Sequence, residues 1–266
     1  MRSPTKLRGR ELITGGVSYF EYQRAVGEQV VVPWIRRRMP IEGRRVGDFG
    51  AHAGGMLEAF RAAGAMSGIG FEINAEIVRE SPFRMDENFR LVVTDLTELE
   101  PPAQSFDLIV LHDVLEHIPD TSSVLEVARR ALAADGRIFV SFPPYYSMVG
   151  GHQHLAEGWV RLAPWIHYLP DGLFFRVASP GDNEYMSEQD SLDDMVSVRR
   201  TRLTMRKAER AFREAGLAIA DSEHFVSRPE YTVRYGWPTI GADPLRRIPL
   251  VREAFVNGAF YLLAAR

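Results

Sequence analysis

Of the seven histidines in the sequence, five are of interest as groups that could take a proton near neutral pH: His112, His117, His152, His154 and His167. His152 and His154 stand two residues apart in GGHQH, close to Tyr145 and Tyr146. Such a pair can act as a general base or hydrogen-bond its own loop. It can also share a divalent ion if a further ligand such as His112, Asp113 or Glu157 converges on it. Nothing in the spacing brings that ligand in, and no metal is expected. Three acids complete the set. Asp48, Glu72 and Asp95 each lie in or at the end of a short apolar run, where a carboxylate can accept from the hydroxyl or amine groups of a ligand.

The elements that must position these groups begin with RVGDFGAHAGGML, Arg45 to Leu57. Val46 and Phe49 form a short apolar run that breaks into Gly50, Gly54 and Gly55, and Met56, Leu57 and Phe60 then follow at helical spacing. This is strand, glycine turn, helix, with free amide donors at the helix start. A second strand, MSGIGFEI, closes on Glu72, 24 residues beyond Asp48. An acid about 20 residues past a glycine loop is where a ribose diol is gripped in Rossmann-type sites. The third strand, FRLVVTDL, is expected to end at Asp95.

The fourth strand, Phe106 to Leu111, is apolar but for Asp107, nearly continuous as for a strand buried on both faces of a parallel sheet. It opens into His112 and Asp113, and a short turn carrying His117 is stopped by Pro119; His117 is expected to support this loop. The helix VLEVARRALAADG, with Gly136 as its C-cap, leads to a fifth strand, RIFVSFP. Strand and helix alternate from 46 to 142, which predicts a doubly wound parallel sheet.

Residues 143–200 break that rhythm. They include Trp159, Trp165, Tyr168, Phe174 and Phe175, followed by an acidic polar stretch, and a segment this long usually serves as a lid. Packing within the insertion accounts for the aromatics better than a substrate wall does. RTRLTMRKAERAFREAG then reads as an amphipathic helix ended by Gly216, and 217–226 and 259–265 read as closing strands. Ahead of the first strand, residues 1–15 are polar and expected to be loosely held. Ser18 to Arg38 reads as a helix disturbed by Pro33, with Tyr19, Tyr22, Val26 and Val30 on one face. It is expected to cover the core, although Tyr19, Tyr22 or Arg24 could reach a ligand from it.

The chain has 266 residues, 45% of them hydrophobic and 25% charged, enough for one large domain. A formal net charge of −3 gives no reason to expect nucleic acid or an anionic membrane as the main partner. The basic runs Arg36-Arg37-Arg38 and Arg199-Arg200-Thr201-Arg202 read as solvated helix ends. The absence of cysteine excludes disulfides, thiolate zinc sites and a thiolate nucleophile. No secretory signal or membrane span is visible, and a cytoplasmic location is expected. Homo-oligomers are compatible with the composition.

In order along the chain, VGDFGAHAGG, GIGFEI, VVTDL and FDLIVLHDVLEHIPD resemble the motifs of class I S-adenosylmethionine-dependent methyltransferases of the small-molecule group. The resemblance runs from about Tyr19 to Arg266. It implies an α/β fold with a mostly parallel, Rossmann-like sheet of seven strands. It also implies an N-terminal helical cap over 1–44 and a methyltransferase domain over 45–266, with a lid at about 143–200 after the fifth strand. The implied cofactor is S-adenosylmethionine. Asp48, Gly50 and Gly54 would border its methionine and ribose parts, Glu72 would hold the ribose hydroxyls, and Asp95 and Leu96 would meet the adenine. His112 and Asp113 would line the floor, with Tyr22 above.

His52 stands where the pattern usually has a second glycine. Histidine is among the residues that tolerate positive φ, but it fills space beside the cofactor. The implied reaction is methyl transfer to an oxygen or nitrogen of a small or medium-sized acceptor, with His152, His154 or His112 as a base. The alternatives are a nicotinamide-dependent oxidoreductase and a non-catalytic cofactor-binding or scaffold protein.

Overall fold

The computed structural model describes residues 18–179, 188–243, 245 and 248–266. The expectation for residues 1–15 and the part of the lid at 180–187 lie outside them. The architecture is a single sheet in the order β3-β2-β1-β4-β5-β8-β6-β7. Its strands are β1 Arg45–Phe49, β2 Ser67–Glu72, β3 Phe89–Val93, β4 Phe106–His112, β5 Leu132–Phe142, β6 Leu217–Ser227, β7 Ile240–Gly241 and β8 Gly258–Ala265. The first five are parallel, and β8 runs antiparallel between β5 and β6. The sheet therefore has eight strands rather than seven, because the two-residue β7 pairs with the end of β6.

Helices cover both faces. In β4, Ile109 and Leu111 enter one core cluster while Leu108 and Val110 enter the other, which is why Leu108 to Leu111 is apolar at every position. On the second face, α1 (Tyr19–Val26) begins at Ser18, whose Oγ accepts from the Glu21 amide. A π-helical turn over Gly27–Val31 leads into α2 (Val32–Arg36), which has Pro33 at its start. The widened turn absorbs the N–H that Pro33 lacks and the room its ring needs. α1 packs on α3 (Gly55–Ala62) so closely that a Cβ on Gly55 would lie 2.2 Å from the Phe20 carbonyl oxygen. α4 (Ala75–Glu80) follows β2, capped by Asn74.

Several boundaries differ from the sequence reading. β3 stops at Val93, so Asp95 lies in the loop beyond it. α5 (Thr121–Ala131) ends five residues before Gly136, and the chain passes straight into β5. Pairing with β4 then jumps from Phe106↔Leu132 to Leu108↔Arg137, so residues 133–136 form an irregularity within the strand instead of a helix end.

After β5 come three short 3-10 turns, then α6 (Asp171–Val177) and α7 (Glu188–Thr201). The acidic stretch thus contributes a helix that its low hydrophobicity concealed. A separate apolar cluster, including Leu155, Val160, Phe174 and Met195, holds this segment together. Arg199 clamps it. Its guanidinium donates to the His167 and Leu169 carbonyls and to Asp171, and the residue is only 5% exposed, so it is no solvated helix end. α8 (Met205–Glu214) precedes β6 and is ended by Gly216, φ +72°, as expected, but it begins at Met205 behind the Thr204 cap, since Arg200 and Thr201 belong to α7. α9 (Glu230–Tyr235) and α10 (Pro249–Phe255) occupy the last connection. No helix among the described residues is long and apolar enough to cross a membrane.

Candidate active site

The carboxyl ends of β1, β2, β4 and β6 converge on one edge of the sheet. Asp48, near the end of β1, is 2% exposed, and its Oδ2 has no hydrogen-bond partner. Burial raises its pKa to about 7; the nearby His112 opposes the rise and Glu72 adds to it. Beyond it, Gly50 takes φ +84° and Gly54 φ +82°, the left-handed region that favours glycine. A Cβ on Gly50 would fall 2.5 Å from Val114, so this turn is also where the β1 loop packs against the β4 loop.

His52 adopts φ +49°, doing with a histidine what the usual glycine does. Its backbone amide donates to Glu72 Oε2 at 2.8 Å, and the Asn74 amide donates to Oε1 at 2.9 Å. Glu72 is therefore aimed by two amides, and each oxygen keeps a lone pair for a further donor. The His52 ring lies against Tyr19 of α1, with centroids 4.4 Å apart, and Tyr22 is 5.8 Å from Tyr19. Burial pushes both tyrosine hydroxyls well up, so they stay protonated. Asp95 Oδ1 accepts from the Thr97 amide and hydroxyl, closing a local turn, and Leu96 beside it is buried.

At the end of β4, Asp113 takes φ +54° and its amide donates to the Ser141 carbonyl. Its carboxylate accepts from Ser141 Oγ at 3.0 Å and from Arg228 Nη2 at 2.9 and 2.6 Å. Arg228 Nη2 also donates to Glu230 Oε1 at 2.5 Å, and His112 Nε2 lies 3.4 Å from that same oxygen. Burial works against charge on Asp113, but Arg228 and His112 outweigh it and hold the carboxyl well below its ordinary range. Burial likewise pulls the His112 imidazole down; Asp113 and Glu230 overcome it and leave His112 above its ordinary value.

The segment after β5 meets the β4 loop. His152 takes φ +53° and its Nδ1 lies 2.5 Å from Asp194 Oδ1 of α7. The His154 ring is 5.3 Å from that of His152, and burial, then the His152 and Arg234 charges, push it well below the ordinary value. His117 stands 5.2 Å from the His152 ring and bonds Ser197 Oγ through Nδ1 at 2.8 Å, tying the β4 loop to α7. His167 instead packs on Tyr145, where burial lowers its pKa to about 4. Of the aromatics in this segment, Phe174 is fully buried and Trp159 is 68% exposed.

Four residues of this arrangement went unread in the sequence, Asp194, Ser197, Arg228 and Glu230, while Tyr19, read as covering the core or reaching a ligand, meets the His52 ring. Arg228 and Glu230 follow the carboxyl end of β6. Because β6 runs parallel to β1–β5, the rule that singled out Glu72 applies there too. Asp194 and Ser197 lie in an acidic run whose pattern carries no signal of burial.

A doubly wound sheet with an acid-tipped second strand, a glycine turn and a buried ionic floor defines a nucleotide-cofactor α/β protein. A family model described as "Methyltransferase domain" matches residues 22–220, and the chain belongs to that family. Among solved structures, an S-adenosylmethionine-dependent methyltransferase from Mesorhizobium loti is similar at TM-score 0.54 and 17% identity, covering 87% of this chain and 95% of that one. The [4+2]-cyclase SpnF is similar at TM-score 0.50 and 14% identity, covering 88% and 80%. These likenesses show the fold alone. A curated relative, the ubiquinone biosynthesis O-methyltransferase of Thiobacillus denitrificans, is 29% identical over 113 residues, 41% of this chain and 48% of that protein. The chain spans about half the length of the curated relatives it matches.

Proposed function

We propose that this protein is an enzyme that transfers a methyl group from S-adenosylmethionine to an oxygen of a small or medium-sized acceptor. The observation that carries the reading is Glu72, held by the His52 and Asn74 amides with both oxygens still able to accept, beside a buried Asp48 Oδ2 that lacks a partner. These fit the cofactor's ribose diol and its ammonium respectively. When bound, the cofactor supplies a methyl group already activated by a sulfonium charge, so the chain's task is to align the acceptor and remove its proton. Tyr19 and Tyr22 would close over this end, and Asp95 with Leu96 would meet the adenine.

For the acceptor side, the name of the curated relatives, O-methyltransferase, supports oxygen as the methylated atom. His112 is assigned the base. It sits at the end of β4 with Glu230 3.4 Å from Nε2, which steadies the imidazolium formed on taking a proton. His154 and His152 line the lid wall instead. The test is calorimetry with S-adenosylmethionine, followed by transfer of labelled methyl from it to a panel of phenols, sugars and amines. Binding with label on a hydroxyl compound supports the reading. No binding, or label on amines only, overturns it.

A further inference from the structure

Where the β4 loop meets the lid, Glu116, His117 and His152 each present one ligand-type atom, and those atoms all lie within 4.8 Å of one another. Glu116 is 2% exposed and neither of its carboxylate oxygens has a hydrogen-bond partner. A buried carboxylate without donors is costly, and native structures rarely keep one without a counter-group. Asp113 and Glu230 share the Arg228 guanidinium, which already places a cation in the adjacent cluster of His112, Asp113 and Glu230.

The two imidazoles are held in matching fashion. His117 bonds Ser197 Oγ and His152 bonds Asp194 Oδ1, each through Nδ1, which leaves Nε2 of each ring for another partner. His117 Nε2 lies 3.9 Å from Glu116 Oε1 and 3.8 Å from Asp194 Oδ2. Metal-binding histidines are fixed in this way, with one ring nitrogen anchored by an outer carboxylate or hydroxyl and the other turned to the ion. We propose that Glu116, His117 and His152 form a binding site for a divalent transition-metal ion, with Asp194 and Ser197 as the outer residues that orient it. Two imidazoles and one carboxylate suit zinc, manganese, iron(II) or cobalt better than magnesium or calcium, which favour all-oxygen sets. Three protein ligands leave positions open. On the methyl-transfer reading, on which this role alone rests, an acceptor hydroxyl fills one of them, and the ion lowers its pKa and fixes its oxygen.

The experiment is titration of the chelator-treated, full-length protein with Co2+, followed by visible absorption, and with Zn2+ and Mn2+ by calorimetry. One ion per chain is expected, with cobalt d–d bands. Glu116→Gln and His152→Gln should weaken it at least about 100-fold and Asp194→Asn about tenfold. S-adenosylmethionine affinity, measured in parallel, should stay within threefold of the parent and shows that each variant is folded. Absence of bands and heat in the parent, or unchanged metal affinity in a folded Glu116→Gln, overturns the site. Metal binding without S-adenosylmethionine binding would instead support the site and sink the methyl-transfer reading.

Discussion

The backbone amide of His52 donates to Glu72 Oε2 at 2.8 Å. The residue that departs from the glycine pattern therefore aims the carboxylate proposed to hold the cofactor's ribose. That amide points at Glu72 because the backbone of His52 is left-handed, at φ +49°.

Glu72→Ala removes the acceptor of two amides as well as the diol partner. Hydrogen bonds to a charged group are worth about 1.5–3 kcal/mol each, so S-adenosylmethionine affinity should fall by roughly 100-fold. Calorimetry checks this, and a loss below threefold would show that the ribose sits elsewhere.

His52→Gly should leave stability within about 1 kcal/mol, since relief of the left-handed backbone offsets the lost ring contact with Tyr19. His52→Val, β-branched at positive φ, should cost about 1–2 kcal/mol more than glycine. Denaturant titration of the two variants measures the difference; equal stabilities would refute it.

Asp48 has a folded pKa of about 7, above its unfolded value near 4. The folded state thus binds more protons in that window. Its contribution is fully present below about pH 4 and is lost as pH rises through 7, by a few kcal/mol at most. Asp48→Asn should flatten that part of the stability profile of the cofactor-free protein. A slope unchanged between pH 4 and 7 would contradict the assignment.

Glu230 and Asp113 hold the His112 imidazole above its ordinary pKa. Activity should decline as pH falls through that value, because the base must be neutral. Glu230→Gln should move the acidic limb of kcat/KM to lower pH and lower kcat roughly tenfold, with KM little changed. A limb that does not move would remove Glu230 from the proton chemistry.

Arg199 satisfies the His167 and Leu169 carbonyls at once. Arg199→Ala leaves these acceptors unpaired and should cost about 2–4 kcal/mol. Hydrogen exchange should quicken first in residues 153–177. Uniform loss across the sheet would show that the segment does not open separately.

The alternation of strand and helix, the acids at the ends of β1 and β2 and the glycine turn were all legible, because each is set by local periodicity and by backbone conformations few residues adopt. β7 was not. Two residues become a strand only because β6 offers an unpaired edge. The end of α5 was misplaced at Gly136 because register with β4, not a capping residue, ends the helix at Ala131.

The residues on the acceptor side show the same division. By itself the sequence determined the strand, glycine turn and helix that aim one edge of the sheet, since RVGDFGAHAGG and Glu72 lie within one strand–helix–strand unit. Only the tertiary structure decided that Asp194 would anchor His152 from 42 residues away, that Arg228 would reach Asp113 across 115, and that Glu116 would be left buried without a partner. Such pairings depend on which strand ends and which lid helix meet at one sheet edge, and no periodicity within a single segment records that meeting.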